Sequence, residues 1–212
     1  MHAYYILLWE SSAVIISFDA MKEENPEFVP IEKAFHSFET DAPFSHCLEC
    51  EKYLLDEGTN YLIEKAVRNY QGFRAKDVIF DYAICLECAQ ELQKGISKES
   101  LSVMQDYMQR HFASEGRLRQ LQESQGNIPG LIEQCMVTGK SADTCEEYQI
   151  FAFCSGDKIN LTMPPYMVSG QVLDELQELL SDSTRDHLNG FFNKHFTPAP
   201  GLMEPDPRFI LL

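Results

Sequence analysis

From residue 44 onward, extended apolar runs and helical stripes follow one another in a fixed order, and that order occurs twice. Residues 61–70 and 78–84 are rich in side chains suited to extended backbone and predict two strands, joined through Gly72 and the charged stretch ending at Asp77. Residues 85–94 predict a helix that Gly95 stops. Ser97 is placed to cap a second helix, in which Leu101, Met104, Tyr107, Met108 and Phe112 recur at helical spacing. The second pass begins at residue 132. Residues 148–154 and 158–163 predict strands around a Ser155-Gly156-Asp157 hairpin turn. Residues 170–180 predict an amphipathic helix with Val172, Leu173, Leu176, Leu179 and Leu180 on its apolar stripe, and Ser181-Asp182-Ser183 offers caps for a last helix. The first pass closes on Gln109-Arg110-His111-Phe112 and the second on Asn193-Lys194-His195-Phe196.

The expected fold class is α+β, built of two related units at residues 44–112 and 132–196. Each comprises a knuckle-like loop, a β-hairpin and a helix, followed by a second helix. A polar, glutamine-rich linker is expected over residues 113–131, punctuated by Gly126 and Pro129-Gly130. Residues 1–43 begin with two apolar runs, Tyr4 to Trp9 and Ala13 to Phe18, parted by Glu10-Ser11-Ser12. No basic stretch precedes them and Glu10 interrupts them, which favours an apolar hairpin over a signal peptide or membrane span. Residues 197–212 read as an extended proline-rich tail that ends in Phe209-Ile210-Leu211-Leu212. That apolar terminus is expected to dock on its own chain, a partner groove being the alternative.

Composition narrows the function classes. Of 212 residues 44% are hydrophobic, with 14 Phe and 9 Tyr, enough for a buried core. The net charge of −16 opposes a grip on phosphate backbones, which depends on Lys and Arg. The basic group Arg117 to Arg119 reads as a solvated helix face.

The seven cysteines carry the chemistry. Cys47/Cys50 and Cys85/Cys88 form two Cys-x-x-Cys pairs, and four thiolates so spaced can close a tetrahedron around one zinc ion. Such a full shell is structural, because no coordination position stays open for substrate. Paired spacing without an export signal also points to a reducing compartment, hence a cytoplasmic protein. In the second unit Cys135 stands where Cys47 stands, Thr138 replaces the second ligand, and Tyr166 and Ser169 take the places of Cys85 and Cys88. That unit is expected to be metal-free. Cys145 and Cys154, like Cys135, read as buried thiols. His46 reads as a surface or neighbouring histidine rather than a ligand.

The order knuckle, hairpin, helix bearing the last two ligands resembles the treble-clef class of zinc fingers over roughly residues 44–94. The whole chain is also similar to bacterial proteins of this organisation, which bring no function with them. The resemblance assigns Cys47 and Cys50 to the knuckle and Cys85 and Cys88 to the helix N-terminus, and the long span between the pairs implies an elongated hairpin. The class includes structural domains, nucleic-acid binders, ubiquitin-system modules and nucleases. A nuclease of the His-Asn-His kind would need a histidine on the hairpin, and none lies between Tyr61 and Gln93. His187 and Asn189 read as a solvated helix face. Gly139-Lys140-Ser141 matches the end of a phosphate-binding loop, but Gln134 stands where its leading glycine belongs, so it reads as a turn. Iron in a tetrathiolate site and a dithiol redox site are the competing uses of the cysteines. The expected function is a non-catalytic, zinc-stabilised scaffold or protein-interaction module, with no membrane association and with self-association through the N-terminal apolar segment left open. The alternatives are an enzyme, either nuclease or thiol redox protein, and a nucleic-acid-binding finger.

Overall fold

A computed structural model of the chain describes residues 28–196, apart from residues 71, 73, 74, 113, 125 and 126. Among these residues six strands make one antiparallel sheet: β1 (Phe28–Pro30), β2 (Asn60–Asn69), β3 (Lys76–Cys85), β4 (Glu147–Ser155), β5 (Lys158–Asn160) and β6 (Tyr166–Ser169). The order is β1-β5-β4-β2-β3, with β6 on β4 beside β5. β2 and β4 lie together from Asn60 opposite Ser155 to Arg68 opposite Glu147. Both are buried on both faces, with Ile63, Ala66 and Val67 inside from one and Ile150, Phe151 and Ala152 from the other. Such near-continuous burial is what covered central strands require.

The helices are α1 (Leu86–Gln93), α2 (Lys98–Phe112), α3 (Glu115–Ser124), α4 (Ile128–Ile132), α5 (Gly170–Leu179) and α6 (Asp182–Phe196). Alternate residues of a strand point to opposite faces, and the β2/β3 pair shows what covers each. On one face Glu64 lies opposite Tyr82, and Phe80 and Tyr82 pack under α6, with Phe80 edge-on to Phe192 at 5.4 Å and Tyr82 edge-on to Phe191 at 6.1 Å. On the other face Lys65 lies opposite Asp81. Lys65 Nζ donates to His36 O and stands 3.5 Å from Asp81 Oδ2, which also accepts from Phe38 N–H at 2.7 Å. The turn around buried Phe35 is thereby pinned across the strands.

α2 and α6 begin side by side at a knot of hydroxyls. Ser97 Oγ accepts from Ser100 N–H at 3.1 Å and Ser181 Oγ from Thr184 N–H at 3.4 Å, so each serine caps its own helix. The amides of the capping serines cross over: Ser97 N–H donates to Thr184 Oγ1 at 3.0 Å and Ser181 N–H to Ser100 Oγ at 2.9 Å. A second close approach joins α1 to α6. His187 Nε2 lies 2.8 Å from Leu92 O, and a Cβ on Gly95 would come within 2.2 Å of the His187 ring. Glycine at position 95 is therefore a steric requirement of that histidine.

Most expected elements are present, and the α+β class holds. Four expectations are corrected. The strand expected over residues 158–163 stops at Asn160, and β6 resumes the pairing with β4 after Pro164-Pro165. Residues 113–131 hold α3 and α4 rather than only a polar connection. Arg117 is not solvated but 1% exposed, with Nη2 donating to Pro165 O at 2.7 Å and Nη1 to Gln120 Oε1 at 2.7 Å. His187 does not lie on a solvated face, because Leu92 O and Gly95 hold it against α1. Tyr4 to Phe18 and Phe209 to Leu212 lie outside the described residues. No helix among the described residues is long and apolar enough to cross a membrane.

Candidate metal centre

The first cysteine pair sits in a loop whose backbone closes on itself. Cys47 N–H donates to Lys52 O at 2.9 Å, Glu51 N–H donates to Cys47 O at 3.0 Å, and a β-bridge joins His46 to Tyr53. Glu51 takes φ +59° to complete the turn. Leu48 N–H fastens the loop to the edge of the sheet by donating to Ala83 O at 2.8 Å. The second pair arrives on the next element. Cys85 ends β3 and is the N-cap of α1, and Cys88 lies in the first turn of that helix. Helix N-termini offer unpaired N–H groups and the positive end of the dipole, a setting that favours thiolates. Cys85 N–H donates to Cys47 Sγ at 3.3 Å.

The four Sγ atoms lie within 4.8 Å of one another, Cys50 and Cys85 at 3.7 Å. Four sulfurs at about 2.3 Å from a common ion have a tetrahedral edge of about 3.8 Å. The cluster thus fits a tetrathiolate ion with small closing movements. Cys47 and Cys85 are buried, Cys88 is partly buried and Cys50 is exposed, which sets the site at the surface with its inner half in the core.

As thiols, Cys47, Cys85 and Cys88 are unequal. Burial pushes Cys85 up to about 12 and also raises Cys88. Burial opposes ionisation of Cys47 too, but the N–H groups of Cys85, Cys50 and Glu49 outweigh it and hold its pKa below the usual thiol value. A coordinated thiol is deprotonated outright, so ion uptake must release protons. Two flanking residues add charge that the Cys-x-x-Cys pattern did not flag. Lys52 Nζ lies 3.1 Å from Glu87 Oε1, and that bond, with weaker help from Cys85 and Cys50, raises its pKa. Glu49, inside the loop, accepts from Lys194 and stands 2.6 Å from His195 Nε2, which ties the loop to the last turn of α6. A charged residue inside the first pair, and a lysine two positions after it, were the only signals in the sequence.

A second loop has the same backbone bonds. Cys135 N–H donates to Lys140 O at 2.8 Å, Gly139 N–H to Cys135 O at 2.7 Å, and a β-bridge joins Gln134 to Ser141. Gly139 takes φ +69° where Glu51 takes +59°. Met136 N–H donates to Met167 O at 2.9 Å, and Ser169 N–H to Cys135 Sγ at 3.4 Å. Ser169 is the N-cap of α5, with φ −72° and ψ 151° against −64° and 153° for Cys85. Ser169, not Tyr166, thus caps its helix as Cys85 does, and Val172, not Ser169, is the third residue of its helix as Cys88 is. Tyr166 matches Tyr82 instead. The hairpins differ in length, so that 38 residues separate Cys47 from Cys85 but 34 separate Cys135 from Ser169.

Cys145 and Cys154 are buried, as expected, and among the described residues they join no cluster of metal-binding groups. His46 stays out of the cluster, its Nδ1 2.9 Å from Ser45 Oγ and its ring edge-on to Tyr53. Gly139-Lys140-Ser141 follows the turn at residues 136–138, with Gly139 at positive φ and Ser141 bridged to Gln134. Comparison with known proteins finds no matching family model, curated protein or solved structure.

Proposed function

We propose that this chain is a zinc-stabilised, non-catalytic binding module of two related units, the ion being held in the first by Cys47, Cys50, Cys85 and Cys88. The carrying observation is the convergence of those four Sγ atoms within 4.8 Å. A loop pair and a helix N-terminus pair, as in a treble clef, support the assignment to zinc, which prefers tetrahedral sulfur. Four thiolates complete the shell and leave no position to activate water or polarise a substrate. The shared bond pattern of the loops at Cys47 and Cys135 supports the two-unit reading.

The ion's work is to strengthen a junction that hydrogen bonds already begin. The loop at 47–52, the end of β3 and the start of α1 meet at the cysteines, and Glu49 extends the junction to α6. A protein partner suits an acidic chain better than nucleic acid does. Exposed Phe38 and Tyr53, at 69% and 45%, offer apolar contacts.

The test is metal analysis of protein purified under reducing conditions, with cobalt substitution. One zinc per chain and a tetrahedral tetrathiolate cobalt spectrum, both lost in Cys85→Ser and kept in Cys145→Ser, are expected. A chain that holds no ion after zinc-replete purification refutes the reading, and bound iron moves it to an electron-transfer class.

A further inference from the structure

We infer that the loop at Cys135 is a latent metal site, in which Thr138, Ser169 and Val172 occupy the corners that Cys50, Cys85 and Cys88 occupy in the first. Cysteines at these three positions should therefore bind a second ion of the same class. The inference rests on the two-unit reading and goes beyond it by fixing the register residue by residue.

Each corner has its own observation. For the first, Cys135 Sγ accepts Ser169 N–H at 3.4 Å just as Cys47 Sγ accepts Cys85 N–H at 3.3 Å. For the second, Thr138 stands three positions after Cys135, as Cys50 does after Cys47, in a loop closed by the same backbone bonds. For the third, Ser169 repeats the N-cap geometry of Cys85. Its Oγ is buried, lies close to Cys135 Sγ without reaching hydrogen-bond geometry, and has no other partner. An unsatisfied hydroxyl in a core costs stability, and here it marks the corner where a ligand atom is missing. For the fourth, Val172 is the third residue of α5 as Cys88 is the third of α1, and it is fully buried.

What replaced the ion is visible at the same corners. The Ser169 N–H, with Thr138, holds the Cys135 thiol in place, and Val172 supplies apolar packing. Burial works against ionisation of Cys135, but those donors overcome it and its pKa falls below the ordinary thiol value. Cys135 is thus kept as a hydrogen-bond acceptor at the start of α5. One thiol, two hydroxyls and a valine make a poor set for zinc, so the natural chain should take its ion in the first loop only.

The experiment is a cobalt titration of the full chain carrying Thr138→Cys, Ser169→Cys and Val172→Cys, read by thiolate-to-cobalt absorption and by metal content. The expected result is a rise from one ion per chain to two. The same three changes in a Cys50→Ser, Cys88→Ser background should bind one ion at the restored loop. A control with Tyr166→Cys in place of Val172→Cys, the register suggested by sequence alone, should gain no tetrathiolate absorption. If the triple variant is insoluble, Thr138→Cys with Ser169→Cys leaves the buried valine intact and should still bind a second ion through three thiolates. A second ion absent from both variants overturns the inference. Failure of the first loop to bind any ion would instead overturn the zinc reading, so the two failures are distinct.

Discussion

Glu64 gives the sharpest test of the core. It lies at the middle of the sheet, 3% exposed, and Tyr82 Oη donates to its Oε2 at 2.5 Å while Oε1 has no partner. Burial pushes its pKa from the usual 4.5 up to about 8, and the Tyr82 bond offsets only part of that. The folded state therefore holds a proton that the unfolded chain releases. Below pH 4.5 both states are protonated and Glu64 exacts no penalty. Between the two values stability falls as pH rises, and above about 8 the loss is complete. A difference of that size corresponds to a total of about 5 kcal/mol, of which about 2 kcal/mol falls between pH 6 and pH 8. Glu64→Gln keeps an acceptor for Tyr82 and removes the titration. Urea unfolding of both proteins, zinc-saturated, at pH 5, 6, 7 and 8 should show the variant gaining on the natural protein by about 1 kcal/mol per pH unit. Comparing the two cancels the thiols and histidines, which are common to both. A difference that stays flat across this range would mean that Glu64 is charged in the fold, and the reasoning fails.

Other outcomes follow from particular contacts. Chelation should lower the melting temperature, and zinc affinity measured by competition should weaken as pH falls, because protons compete for the thiolates. Gly95→Ala should destabilise by about 1–3 kcal/mol through overlap with the His187 ring, and His187→Ala in the same chain should recover part of that loss in a double-mutant cycle. Arg117→Ala should cost about 3 kcal/mol, since it strands the carbonyl of Pro165 in the core. Arg117→Lys should rescue it poorly in denaturant melts, because an ammonium cannot span the carbonyls of Pro165 and Leu131.

The sequence exposed what local spacing controls. The two cysteine pairs, the caps at Ser97 and Ser181 and the buried stripe of α5 at Val172, Leu173 and Leu176 all depend on neighbours within a few positions, although Leu179, expected on that stripe, is exposed. It hid what distant residues decide. Nothing near Glu64 announces that Phe151 of β4 will lie opposite it and bring both hairpins into one sheet. Arg117 looked solvated because its acceptors, Pro164 and Pro165, come almost fifty residues later. The corner at Val172 was missed because unequal hairpins shift the numbering, and a buried valine carries no trace of a lost ligand. β6 was missed because Pro164-Pro165 part it from the run expected as a strand over residues 158–163.

The crossed bonds at Ser97 and Ser181 set an order on the ribosome. The ion-binding set is complete once Cys88 has emerged, but Ser97 N–H waits for Thr184, and β2 waits for β4. During that delay a captured ion can hold the earlier half of a nascent chain in register while half of its central pairing is still being synthesised. The later half, made last, meets a finished template and has no such wait. With an ion in the first loop alone, as proposed, the fold is suited to being made in that direction.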